Sequence, residues 1–229
     1  MREQLFGIWK IWSPALKHED NKSKFLIIVA VIDVMILGPL YFLVNRVMHY
    51  RESTVWDPSF ALDSQIPFIP WTILIYSTLY FVFYPLPYFT IKNDRLKELL
   101  ILSQAMIISQ IIAVIFFVLF PAEVHIRSQA IAEIEMNPSW YGIFYELLWM
   151  IDSPYNSWPS LHVCQAGLIT LFAIRWSAEK PALQLSLLIL WTLMTLSILT
   201  TKQHFIWDLI AALVLLFATW NAYVKLALD

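Results

Sequence analysis

Six apolar blocks, near residues 25–45, 69–90, 98–120, 159–176, 182–200 and 204–225, constrain this chain more than any other feature. A helix needs about 20 apolar residues to cross the roughly 30 Å hydrocarbon layer of a bilayer. Four of the blocks meet that length. The fourth and fifth are shorter and have polar ends, as segments bordering a site would. The expected fold is all-α: a polytopic membrane protein of six transmembrane helices, with a helical outer loop between the third and fourth, in one membrane domain over residues 1–229. The composition agrees. Hydrophobic residues make up 59%, charged residues only 14%, and the mean hydropathy is +0.65, against about 45–50% and 25% in soluble domains. The 11 Trp and 10 Tyr suit the membrane–water boundaries. A net charge of −2 gives no footing for nucleic acid. The single cysteine, Cys164, rules out an internal disulfide and reads as a small packing residue.

Pro70, Pro85 and Pro87 punctuate the second block, so it should start sharply and end or kink near Tyr84–Tyr88. Residues 1–24 place Leu5, Phe6, Trp9 and Trp12 among Arg2, Lys10 and Lys17. They read as a basic cytoplasmic tail or as an amphipathic helix in the headgroup region. No cleavable leader, internal repeat or flexible linker is evident. With six spans and the N-terminus inside, 11 of the 15 Lys and Arg fall on the cytoplasmic side. The positive-inside rule then puts both termini in the cytoplasm. A bacterial inner membrane is the expected location.

On that topology several chemistry-bearing residues share one depth on the outer face. His162 opens the fourth span, and His204 and Asp208 open the sixth. Arg127 follows the outer end of the third, and Lys202 precedes the sixth. His204 and Asp208 are four apart and so neighbours on one helix face. A carboxylate on one imidazole nitrogen fixes the tautomer and frees the other nitrogen as nucleophile or base. An aspartate at this depth costs about 2.5–3.5 kcal/mol on insertion scales unless paired. Pro159 suits the first turn of a helix capped by Asn156, Ser157 or Trp158. That helix start, with Ser160, Arg127 and Lys202, would hold and neutralise the oxygens of a transferring phosphoryl group without a metal. A zinc site on His162, His204 and Asp208 is the competing chemistry, disfavoured by the nearby cations. Asp57, Asp63 and Glu123 are candidate headgroup contacts. His125 reads as interfacial, and His18 and His49 as surface residues.

This set resembles the type-2 phosphatidic acid phosphatase superfamily, with motifs Lys-x6-Arg-Pro, Pro-Ser-Gly-His and Ser-Arg-x5-His-x3-Asp. Pro159-Ser160-Leu161-His162 matches the second, with Leu161 in the glycine slot. Ser197-x6-His204-x3-Asp208 matches the third, with Ile198 in the arginine slot. Arg127 aligns with the arginine of the first, with Phe120 and Ser128 in the lysine and proline slots. The wording from Tyr155 to Val163 and over Thr201–His204 is similar to the branch holding inositol phosphorylceramide synthases and related bacterial proteins. The resemblance implies His204 as the nucleophile that becomes phosphohistidine, Asp208 as its orienting partner, and His162 as the acid/base. It implies Arg127, Lys202, Ser160 and Ser197 as phosphate-binding residues, with no cofactor. The expected activity is hydrolysis of a lipid phosphomonoester or polyprenyl diphosphate drawn from the bilayer. Transfer of a phospho-headgroup to an alcohol is the close alternative. A transporter is a third reading, and it requires polar residues to continue through the bilayer.

Overall fold

The computed structural model describes residues 6–51 and 54–229, and their regular structure is helical. A 3-10 turn at Lys10–Trp12 leads into α1 (Ser13–Leu16) and then α2 (Lys22–Arg51). α2 has 30 residues, about 45 Å at 1.5 Å per residue. It exposes Ile27, Val34, Met35 and Leu43, a face that hydrocarbon accepts and water does not. After α3 (Ala61–Gln65), the second apolar block breaks into a 3-10 turn (Pro70–Thr72), α4 (Ile73–Tyr76), one π-helical turn (Leu79–Phe83) and α5 (Leu86–Thr90). The last break falls at Pro85 and Pro87, which lack the N–H a continuous helix needs.

α6 (Leu96–Leu119), α7 (Arg127–Met136), α8 (Gly142–Ile151), α9 (Leu161–Trp176) and α10 (Pro181–Thr200) follow. α11 (Ile206–Thr219) continues through a π turn (Trp220–Val224) into α12 (Lys225–Leu228). Among the described residues, four stretches are long and apolar enough to cross a membrane: Lys22–Arg51, Asn93–Leu119, Pro181–Thr200 and Ile206–Leu228. Pro70–Phe83 and Leu161–Trp176 are apolar but shorter. The first starts at Pro70 and stops short of Pro85 and Pro87, and the second is the hub of the bundle. α9 packs against α5, α6, α10 and α11, and most of its side chains are buried. A Cβ on Gly167 would stand 2.5 Å from Leu216 Cδ2 and 3.2 Å from Trp191, so glycine there permits a close helix crossing. Trp191 Nε1 donates to the Val163 carbonyl at 3.2 Å.

The N-terminal segment tucks into the bundle. Trp12 and Ala15 are fully buried, the Trp9 N–H donates to Gln104 Oε1, and Gln104 Nε2 donates to the Gly7 carbonyl. Arg2 and Leu5 lie outside the described residues. One end of the bundle gathers residues 54–69, 121–160 and 200–206. There Val55 N–H bonds Pro121 O, Val124 N–H bonds Pro154 O, and Ile69 N–H bonds Thr200 O. At the other end Glu98 accepts from Arg175 and Trp176, and Lys22 Nζ donates to the Ile91 carbonyl.

Candidate active site

Ser160 occupies the N-cap position of α9, with extended backbone (φ −63°, ψ 114°). Pro159 therefore precedes the helix and does not form its first turn, contrary to the sequence expectation. The reason is a long-range bond: Ser160 N–H donates to the Asp208 carbonyl at 3.2 Å, so the chain is held out of helical geometry until Leu161. The same bond sets the start of α9 against the start of α11.

His204 sits in the turn before α11. Its Nδ1 lies 3.0 Å from the Ser157 carbonyl and 3.1 Å from Asp208 Oδ2. Both partners only accept, so Nδ1 carries a proton, and in the neutral ring the lone pair is on Nε2. The Ser160 hydroxyl is 3.4 Å from Nε2. Asp208 is fully buried, and its Oδ2 also accepts the Phe205 N–H at 2.9 Å, which fixes the carboxylate at the helix start. His162, one residue into α9, stacks on Tyr76 with 4.2 Å between centroids and meets the edge of Tyr80 at 5.6 Å. Its ring centroid is 5.9 Å from that of His204.

Arg127 reaches this group from the start of α7. Its Nη1 donates to the Asp152 carbonyl at 2.8 Å, and its Nη2 is 3.5 Å from Asp152 Oδ2. Asp152 also accepts from Asn45 Nδ2 at 3.0 Å and from the Tyr41 hydroxyl. Arg127, Asp152, Asn156, Ser157, His162, Gln203 and His204 line one cavity of about 20 Å³, room for roughly one water molecule. Several buried polar atoms around it have no partner: Arg127 Nε, Ser153 Oγ, both side-chain atoms of Asn156, Ser157 Oγ, His162 Nε2 and Gln203 Oε1. Buried polar groups are ordinarily paired, and such a concentration of unpaired ones suits a polar ligand. Among the described residues, no group of three His, Cys, Asp or Glu is placed to hold a metal ion.

Arg127, Ser160, His162, His204 and Asp208 thus meet at one point. Ser197 and Lys202 stand behind it. The Ser197 hydroxyl donates to the Met194 carbonyl in its own helix. Lys202, fully buried at φ 57°, donates to the Asp63 carbonyl at 2.8 Å. Burial lowers its ammonium pKa, and the Asp63 carboxylate opposes that shift. Asp63 serves as a fastener: its carboxylate accepts the N–H groups of Phe60 and Ile206. Asp57 accepts the Ser59 N–H, the Glu123 N–H donates to Thr54, and His125 leans on the Phe205 ring. Of the four departures from the motifs, Phe120 packs beside Trp158, Ile198 is buried in the core, Leu161 lines the cavity, and the Ser128 hydroxyl donates to the His125 carbonyl. Sequence reasoning missed Asp152, Tyr41, Asn45, Tyr76 and Gln203. Tyr41 and Asn45 offered a signal, two polar residues at i and i+4 near the end of an apolar helix.

Fold and site together describe a helical membrane protein with a histidine–aspartate pair and an arginine converging on a second histidine. A family model, the PAP2 superfamily, matches residues 52–222, and the chain belongs to that superfamily. No curated protein and no solved structure gives a significant match.

Proposed function

We propose that the protein is an integral-membrane lipid phosphatase acting through a phosphohistidine on His204. The observation that carries this reading is the pair of acceptors on His204 Nδ1, which puts the lone pair of the neutral ring on Nε2, in a residue that shares a cavity with Arg127. Nε2 attacks the terminal phosphorus, and its bond to the leaving oxygen breaks: the lipid oxygen of a monoester, or the bridging oxygen of a diphosphate, which departs as the lipid monophosphate. His162 gives that oxygen its proton, then takes a proton from the incoming water as it displaces phosphate from His204. Asp208 stabilises the positive charge that His204 acquires. Arg127, Ser160 and the N–H groups at the start of α9 hold the phosphoryl oxygens, with Lys202 and Ser197 supporting them from behind. The substrate class is a lipid phosphomonoester or polyprenyl diphosphate. With a phosphodiester lipid as donor, the lipid alcohol leaves, His204 carries the phospho-headgroup, and an alcohol in place of water takes it, which is headgroup transfer at the same site. In this reading the chain spans the membrane six times, α9 and the 70–90 segment included, with the site extracytoplasmic and both termini cytoplasmic.

The test is release of inorganic phosphate from a panel of lipid phosphates by the detergent-purified protein with EDTA present, with lipid products followed by mass. Wild type is expected to turn over at least one lipid, and His204→Ala none. Turnover that survives in His204→Ala removes the nucleophile assignment, and turnover abolished by EDTA removes the metal-free mechanism. A new lipid formed only with an added alcohol favours transfer.

A further inference from the structure

A chamber of about 440 Å³ lies between α2, the 79–88 segment, α6 and α9. Tyr41, Leu161 and His162 line both this chamber and the phosphoryl cavity, so the two spaces meet at the His162 imidazole. The walls are mainly apolar, with Val34, Leu37, Leu79, Leu99, Met106 and Ile169 contributing. Most polar side chains on the walls are satisfied by one another or by backbone: Gln110 donates to the Leu37 carbonyl, Gln165 donates to Gln110, and Tyr84 donates to Gln165.

Asp33 differs. Its Oδ2 accepts from Ser103 at 2.8 Å and Tyr88 at 2.9 Å, which ties α2 to α6 and α5. That tie uses one oxygen. Oδ1 is buried without a partner, and the only other buried, unpartnered side-chain atom among the described residues lining the chamber is His162 Nε2. Asp33 and Tyr41 are eight residues apart on α2, about 12 Å along the helix. A ligand reaching from the phosphoryl cavity, which Tyr41 lines, to Asp33 Oδ1 therefore carries a phosphoryl group at one end and a hydrogen-bond donor some 12 Å down an apolar chain.

We propose that the chamber holds the hydrocarbon chain of the lipid phosphate, and that Asp33 Oδ1 accepts a hydrogen bond from a hydroxyl or amide N–H borne on that chain. The proposal rests on the lipid-phosphatase reading above. It makes Asp33 a specificity residue as well as a tie between helices.

The test compares matched lipid phosphates, identical except for a hydroxyl part-way along the chain, presented in mixed micelles. Wild type is expected to favour the hydroxylated lipid in kcat/KM by about 10-fold, the size of one hydrogen bond to a charged group. Asp33→Leu is expected to bring the two lipids to parity, and Asp33→Asn, which keeps an acceptor oxygen, to retain part of the preference. Equal use of both lipids by wild type overturns the proposal. So does a preference kept in Asp33→Leu with both rates lowered together, the pattern of a purely structural tie. A second measurement does not need catalysis: photoreactive forms of the corresponding lipid alcohols, mapped by peptide to residues 30–38 and 99–106. Selective labelling by the hydroxylated probe in wild type but not in Asp33→Leu, with no phosphate released from any lipid, sustains the chamber assignment and overturns the phosphatase reading. Phosphate release with no chain preference does the reverse.

Discussion

His204 is defined by what surrounds its Nδ1. In Asp208→Asn the amide can donate toward Nδ1 and shift the ring proton to Nε2, quenching the proposed nucleophile. The Ser157 carbonyl still favours the native tautomer, so phosphate release should fall by about 10²- to 10⁴-fold, the upper figure being that of the analogous change in a catalytic triad. Single-turnover kinetics on folded protein checks this. Asp152→Ala should leave Arg127 buried without its carboxylate, costing roughly 3–5 kcal/mol, read as a lower unfolding temperature in detergent together with weaker substrate binding. Lys202 gives a prediction in pH. Its folded-state pKa lies below the ordinary 10.5, so the unfolded chain holds that proton more tightly. Stability contributed at this site rises as pH climbs from the folded value toward 10.5. Lys202→Met should flatten that rise in an alkaline unfolding series.

At the level of elements, α9 controls the site because it touches most of its neighbours. Gly167→Leu overfills the crossing with α11 and should destabilise by about 1–3 kcal/mol, with Gly167→Ala milder because the Leu216 side-chain end can swing aside. Thermal unfolding of the two variants separates them. The helices were largely legible from apolar runs, and the meeting of His162, His204, Asp208 and Arg127 was legible from their shared depth. What the sequence hid depends on contacts far along the chain. Ser160 is pulled out of helix by the Asp208 carbonyl, 48 residues away by number. Asp152 looks like a turn residue until Arg127, Tyr41 and Asn45 are seen to converge on it. Lys202 reads as a phosphate-holding cation beside a histidine, but Asp63 of α3, whose carbonyl takes its ammonium, lies 139 positions earlier.

Across the whole molecule, the end that carries the site holds Arg46, Arg51, Arg127 and Lys202 among the described residues. Lys22, Lys92, Arg95, Lys97 and Arg175 gather at the other end, where Glu98 and Glu19 meet Arg95, Arg175 and Lys97. That asymmetry sets the expected orientation. The only native cysteine, Cys164, is buried, so introduced cysteines report without background. Glu135→Cys should react with a membrane-impermeant thiol reagent from outside intact cells, and Lys180→Cys only after lysis. The reverse pattern inverts the assignment. Polar side chains do extend below the site, through Gln165, Gln110 and Asp33, but they hydrogen-bond sideways between helices beside an apolar chamber. That layout suits a chain-binding wall more than a polar conduit.

The chamber's exposed rim residues, Val34 and Tyr80, lie beside the apolar outer face of α2. On the proposed function, a substrate entering there never leaves the two-dimensional fluid of the bilayer, and neither does its dephosphorylated product. The rate should then follow the mole fraction of substrate in the surface and not its concentration in the bulk. Adding inert detergent or lipid at fixed substrate amount should slow the reaction by dilution within the surface alone.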